Sequence, residues 1–219
     1  MDSKTHEDYR TGAPPVRPGT RVRVGVLALQ GDFAEHITAL EKLGAEAFQI
    51  RRSPELGKAD ALIIPGGEST AIAKLASDND DPIFDTIKSR VQDGMPVYGT
   101  CMGSIFLAKD IEGSNQGRLG LMDIKVRRNA FGPQRNSFQM PLQIECLGEK
   151  EFPAVFIRAP LILSCAPSVE VLATIKEGIV MARQANMLVT AFHPEIAFDL
   201  RVHKYFLEML LAKLLVAQL

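Results

Sequence analysis

The 219 residues read as an α/β protein with a mostly parallel central sheet, helices on both faces, and antiparallel strands added in the second half. Three observations predict this. Between residues 22 and 108, short β-branched runs alternate with stretches of helical periodicity, the pattern of strands joined by crossover helices. Between 121 and 192, apolar runs are short and punctuated by Gly, Pro and polar clusters, as expected of antiparallel additions. From 200 to 216, Phe206, Leu207, Leu210, Leu211, Leu214 and Leu215 form one broad apolar stripe, which predicts a closing helix.

The elements follow in order. Residues 1–20 are polar, carry three prolines and lack apolar periodicity, so they read as a flexible extension before a single domain spanning 21–219. Residues 22–29 (VRVGVLAL) suit a strand covered on both faces. After Gln30-Gly31, Asp32 is placed to cap a helix with apolar positions Phe33, Ile37, Leu40 and Leu43, stopped by Gly44. Strands are expected at 47–50 and 61–64, the latter ending in Pro65-Gly66-Gly67. One helix is expected after Glu68-Ser69 and another at 82–92. A strand at 96–99 leads into Cys101 and a helix through Ala108. The later β-like runs are 122–126, 138–144, 154–157, 169–174, 179–183 and 188–192.

Composition excludes several classes. Lys plus Arg is 25 against 26 for Asp plus Glu, so no charge excess points to nucleic acid or an anionic membrane. No apolar run reaches the roughly 20 residues of a membrane span, and the N-terminus lacks the apolar stretch of a secretory signal. Three widely spaced cysteines argue against a disulfide framework and for a reducing cytoplasm. None sits in a metal-ligand pattern, so neither a metal nor another cofactor is expected.

The sharpest chemical signal is Gly99-Thr100-Cys101-Met102-Gly103, a nucleophile-elbow pattern with cysteine in the serine position. A strand-to-helix turn pushes such a side chain out of the sheet, and flanking glycines let the backbones pass closely. The helix N-terminus puts positive partial charge beside the sulfur, which suits a thiolate, and offers the Met102 N–H to an oxyanion. The alternative is a buried cysteine acting as a small hydrophobe. A nucleophilic thiol needs a proton shuttle, and the chain has four histidines. His6 falls in the extension; His36 and His203, on the first and last helices, read as solvated or packed. His193 ends an apolar run and is followed by Pro194 and Glu195. Residues two apart in extended chain face one side, so Glu195 is placed to orient the His193 ring. Gly66 and Gly67 leave backbone N–H groups open to a ligand at the edge that carries Cys101. An amino-acid carboxylate calls for arginine, and Arg127, Arg128 and Arg158 each follow a β-like run. Cys146 and Cys165 lack glycine flanks and read as structural.

Taken together, GVLALQGDFAEHI, LIIPGGEST, GTCMGSIFLAKDI, VRRNAFGPQ, VFIRAP and AFHPE resemble the glutaminase subunits of pyridoxal 5′-phosphate synthase, within the class I glutamine amidotransferases. The likeness runs from about Val22 to Ala212. It implies a flavodoxin-like three-layer sandwich and hydrolysis of L-glutamine, with ammonia passed to a separate synthase subunit in a hetero-oligomeric complex. It implies Cys101 as nucleophile, His193 as base and acid, and Glu195 as the orienting carboxylate. By the same resemblance Gly66, Gly67, Glu68, Arg128, Ile157 and Arg158 contact glutamine, while Gln30 and Gly31 lie beside the oxyanion site with Met102. Met102, Arg127, Pro133 and Gln139 depart from the family's usual residues. A different thiol hydrolase on the same scaffold, such as a γ-glutamyl hydrolase or peptidase, and a non-catalytic regulatory subunit are the rival readings.

Overall fold

The computed structural model describes residues 22–67, 81–132 and 136–216. The N-terminal extension, Glu68, the helix expected after Ser69, and Pro133 lie outside the described residues. The sheet begins with β1 (Arg23–Leu27), β2 (Glu46–Ile50), β3 (Ala61–Ile64) and β4 (Val97–Thr100). The later strands are β5 (Ala108–Ile111), β6 (Met122–Arg127), β7 (Ser137–Leu142), β8 (Phe152–Ile157), β9 (Leu161–Cys165), β10 (Glu170–Ile175), β11 (Gly178–Gln184) and β12 (Met187–Thr190). The helices are α1 (Phe33–Lys42), α2 (Ser53–Leu56), α3 (Ile83–Gln92), α4 (Met102–Leu107) and α5 (Arg201–Val216).

The main sheet runs β2-β1-β3-β4-β12-β11-β9-β6-β5, with β10 paired to β11. Its first five strands are all parallel, and their order is flavodoxin-like. Antiparallel pairing enters at β11 and continues through β9 to β6. Because successive strand residues face opposite ways, the core divides in two. Leu62 and Ile64 of β3 pack under α2, α3 and α4 with Leu56, Ile87 and Phe106. Ala61 and Ile63 face the other way, toward Leu40 of α1 and Phe206 and Leu210 of α5. Three layers result. No helix among the described residues is long and apolar enough to cross a membrane.

Four details differ from the sequence expectation, the first being the short helix α2 between β2 and β3. The helix after Cys101 stops at Leu107, and Ala108 turns extended to begin β5. The run LILSC forms a strand, β9, in the middle of the antiparallel region. The strands around 138–144 and 154–157 do not join the main sheet; β7 and β8 make a separate two-stranded sheet. Pro141 stands opposite Pro153 in that pair. Proline denies the ladder a donor and suits edge strands, and both strands of a two-stranded sheet are edges. Phe138 stacks on Phe156, 4.7 Å between ring centres, and Phe156 meets Phe192, which fastens this hairpin to the α1–α5 face.

Candidate active site

The carboxyl ends of β1, β3, β4 and β12 share one edge, where an open α/β sheet places its ligand crevice. β4 and β12 are adjacent, with Thr100 opposite Thr190, so the residues that follow each strand emerge side by side. Cys101 follows β4 directly. Its φ of +46° lies in the left-handed region that few non-glycine residues occupy, and α4 starts at the next residue. Cys101 N–H donates to Thr190 O at 2.8 Å, and the buried Ser104 hydroxyl donates to Cys101 O at 2.6 Å. These bonds hold the turn. The flanking glycines are required by close approach: a Cβ at Gly99 would sit 2.6 Å from the Gly103 backbone, and one at Gly103 would strike Ile64 O. Met102 opens the helix, so its N–H has no intrahelical acceptor.

His193 lies just beyond β12, its N–H bonded to Val155 O of the hairpin at 2.8 Å. Its Nδ1 is 2.6 Å from Glu195 Oε1, in a pair whose side chains are 5% and 0% exposed. A Cβ built on Gly66 would lie 2.5 Å from His193 Cε1 and 3.5 Å from Cys101 Cβ, so the bare Gly66 backbone sits against both side chains. Cys101 Sγ is 3.8 Å from Ile157 O. His193 Nε2 is buried and has no hydrogen-bond partner, and the Cys101 thiol is one of the groups that act on the ring. Burial disfavours the charged ring, but its interactions with Cys101 and Glu195 outweigh that and raise the His193 pKa to about 10. Burial likewise pushes Glu195 up, opposed by His193.

A cavity of about 730 Å³ opens over these groups, lined by Gly67, Cys101, Met102 and His193 on the sheet side and by Arg128, Asn136, Ser137, Ile157 and Arg158 opposite. Arg158 has φ +44°, and its N–H donates to Asn136 O at 2.6 Å, which ties the end of β8 to the start of β7. The Arg128 guanidinium donates to Gln116 Oε1 at 2.7 Å. Among the described residues, the guanidinium groups of Arg128 and Arg158 and the carboxylate of Asp32 line the cavity, a charge set suited to a zwitterion. Gln30 and Gly31 stand behind the wall: the Gly31 Cα hydrogen faces Gly66 O, and Gln30 Cγ approaches Gly67. Arg127 does not line the cavity; it is paired with Glu112, and Gln139 lies on the outer hairpin beside Lys150.

Several residues were not legible as part of this region. Asp32 makes no helix-capping bond and instead brings Oδ2 to 3.6 Å from His193 Nδ1. Asp32, His193 and Glu195 hold possible ligand atoms within 4.8 Å of one another, and the one hydrogen bond inside this group is His193 Nδ1 to Glu195 Oε1. His36 and His203 are fully buried rather than solvated. The available signal was their register: Leu40 follows His36 by one turn, and Phe206, Leu207 and Leu210 share the face of His203. Cys101, Cys146 and Cys165 are all free, and Cys146 is exposed.

A flavodoxin-like sheet with a glycine-flanked cysteine at a strand-to-helix turn, beside a buried histidine–glutamate pair, defines the class: α/β proteins of the class I amidotransferase type. Within that class the chain belongs to the SNO glutamine amidotransferase family, whose profile matches residues 26–212. It is 54% identical over 187 residues to the pyridoxal 5′-phosphate synthase subunit PdxT of Carboxydothermus hydrogenoformans, covering 85% of this chain and 97% of that one. It is 53% identical over 189 residues to the protein of the same name from Moorella thermoacetica, covering 86% and 100%. A crystal structure described as a glutamine amidotransferase superposes with a TM-score of 0.79 at 48% identity, covering 85% of this chain and 98% of that one.

Proposed function

We propose that the chain is the glutaminase subunit of a pyridoxal 5′-phosphate synthase, hydrolysing L-glutamine to L-glutamate and ammonia and working with a synthase subunit that consumes the ammonia. The identity across nearly the whole length of two proteins of that name supports the assignment. The single observation that carries the chemistry is the His193–Glu195 pair at 2.6 Å, with the His193 ring and Cys101 Cβ both against the Gly66 backbone.

The reaction follows from these groups. With its pKa near 10, His193 holds a proton at neutral pH beside the sulfur. The Cys101 sulfur attacks the side-chain amide carbon of glutamine, and His193 delivers its proton to the departing nitrogen. Ammonia leaves, and a γ-glutamyl thioester remains on Cys101. Neutral His193 then takes a proton from water, whose oxygen attacks the thioester carbon and releases glutamate. Glu195 keeps the ring oriented through Nδ1 and offsets its charge. The Met102 N–H faces the developing oxyanion, with Gln30 and Gly31 behind the Gly66-Gly67 wall. Arg128 and Arg158 take the substrate carboxylate; Gly66, Gly67 and Ile157 complete the described part of the binding surface. Three free cysteines fit a reducing cytoplasm, which belongs to this reading.

The test is glutamate release by the wild type and by Cys101→Ala, each with and without a synthase subunit. Cys101→Ala is expected to release no glutamate while still binding glutamine. Near-normal turnover in that variant would overturn the assignment, and preferential cleavage of γ-glutamyl peptides would redirect it to another thiol hydrolase.

A further inference from the structure

Among the described residues, only three buried side-chain nitrogens or oxygens lack a hydrogen-bond partner: His193 Nε2, Glu195 Oε2 and His203 Nδ1. All three belong to one line of groups. From His193, Nδ1 reaches Glu195 Oε1 at 2.6 Å. The other carboxylate oxygen, Oε2, is 3.4 Å from His36 Nε2, and both side chains are fully buried. His36 Nε2 also lies 3.2 Å from Thr100 Oγ1, and His36 Nδ1 lies 2.9 Å from His203 Nε2. The line thus runs from the cavity through α1 to α5. His193 Nε2 faces the Cys101 thiol, and the two orphans behind it, Glu195 Oε2 and His203 Nδ1, call for a common explanation.

Proton placement supplies it. A neutral imidazole carries one N–H, and its position is set by what the other nitrogen meets. With the His36 proton on Nδ1, the lone pair of Nε2 would face the carboxylate and repel it. His203 would then have to carry its proton on the orphaned Nδ1, leaving a buried donor unpaired. With the proton on Nε2, His36 points it between Thr100 and Glu195. Nδ1 then accepts from His203 Nε2–H, and the His203 orphan is a bare lone pair. Only this second arrangement directs every proton toward the carboxylate.

We propose that His36, backed by His203, is a positioning residue for glutamine hydrolysis: its Nε2 proton holds the free oxygen of Glu195 and so fixes the carboxylate against His193. This rests on the catalytic roles assigned above. Burial lowers the pKa of both His36 and His203, so they work as oriented dipoles and add no positive charge that would compete with His193. The charged and titratable groups facing Glu195 are His193 after β12, His36 on α1, Asp32 before α1 and Tyr98 on β4. Tyr98 stays neutral because burial raises it, and Asp32 disfavours the Glu195 anion. Besides the backbone N–H of Glu195 itself, His36 is therefore the side-chain donor left to support the ionised carboxylate on its far side. Without it the carboxylate protonates at higher pH and releases the ring.

The experiment uses the full chain with its synthase subunit and compares wild type, His36→Leu, His36→Gln, His203→Leu and Cys101→Ala. His36→Leu is expected to lower kcat roughly 10- to 100-fold, the worth of one hydrogen bond to a charged acceptor, with KM little changed. Its acid limb in the kcat–pH profile should move up by about one unit. His36→Gln, which keeps a donor at the position of Nε2, should recover most of the rate and the original limb, and His203→Leu should fall between. In the wild type, ¹⁵N spectra of the imidazoles should place the His36 proton on Nε2, a reading that needs no variant to fold. A His36 proton on Nδ1, a wild-type rate and limb in His36→Leu, or a well-folded His36→Gln as impaired as His36→Leu would overturn the proposal. Loss of turnover in Cys101→Ala alongside an unaffected His36→Leu sinks the relay alone; turnover surviving in Cys101→Ala sinks the reading beneath it.

Discussion

Gly66→Ala is a steric test of the site. The backbone of Gly66 lies outside the left-handed region, so alanine brings no conformational strain, only a methyl group. That methyl would stand 2.5 Å from His193 Cε1, 3.1 Å from Nδ1 and 3.5 Å from Cys101 Cβ. Carbon atoms settle at about 3.5–4.0 Å, so the ring has to retreat by about 1 Å. It has little freedom to do so, because Nδ1 is bound to Glu195 at 2.6 Å and the residue is 4% exposed. Displacing a reacting group by 1 Å costs on the order of 10²-fold in rate. Overpacking costs about 1–3 kcal/mol, which a folded protein of this size survives. The expectation is a kcat about 100-fold lower with a modest fall in the urea midpoint. Glutamate release, coupled to glutamate dehydrogenase, reads the first; urea titration followed by circular dichroism reads the second. A folded Gly66→Ala enzyme with kcat within about threefold of wild type would refute the geometry from which this cost is worked.

Three other expectations follow from the same structure. Arg128→Ala removes a guanidinium from the cavity wall and should raise KM for glutamine roughly 10- to 100-fold in steady-state kinetics, with a smaller effect on kcat. Burial drops the His203 pKa from 6.5 to about 4, so its neutral form favours the fold above pH 6.5. That contribution is lost as pH falls toward 4 and amounts to about 3 kcal/mol, so urea midpoints of the wild type should fall more steeply over this window than those of His203→Leu. Arg127→Glu replaces an exposed ion pair with Glu112 by two like charges; solvent screens both, so the urea midpoint should stay close to wild type and kcat should be unchanged.

Local patterns carried most of the architecture. The β-branched runs at β1, β3 and β4 are buried on both faces, and a strand covered in that way shows itself as continuous apolar sequence. Gly99 and Gly103 were readable because a close backbone crossing admits no other residue, and the backbones do cross there. What escaped was set by distant partners. The detached β7–β8 sheet looks from its sequence like two more strands, and the packing of Phe138, Phe156 and Phe192, with the His193 N–H bond to Val155 O, decides where it docks. Ala108–Ile111 follows the helix with no glycine or proline to stop it, and its pairing with Met122–Arg127 draws it into the sheet. His36 lies at helical spacing among apolar residues, where sequence alone cannot separate a packed ring from a polar link. Its partners, Glu195 and His203, are more than 150 residues away.

The neighbouring positions of β4 and β12 separate two jobs that one chain has to do. Backbone hydrogen bonding between these strands sets where the sulfur and the imidazole emerge, and from the polypeptide between them one further backbone bond, His193 N–H to Val155 O, holds the imidazole's residue. Away from Arg128, Val155, Ile157 and Arg158, which line the cavity or hold His193, the excursion from α4 through β11 can be remodelled: its outer loops can be lengthened and its surface charges exchanged, as with Arg127 and Glu112, without retuning the reacting groups. An ammonia-releasing machine built this way can be fitted to a new recipient by editing its middle third, leaving the chemistry anchored at the two ends.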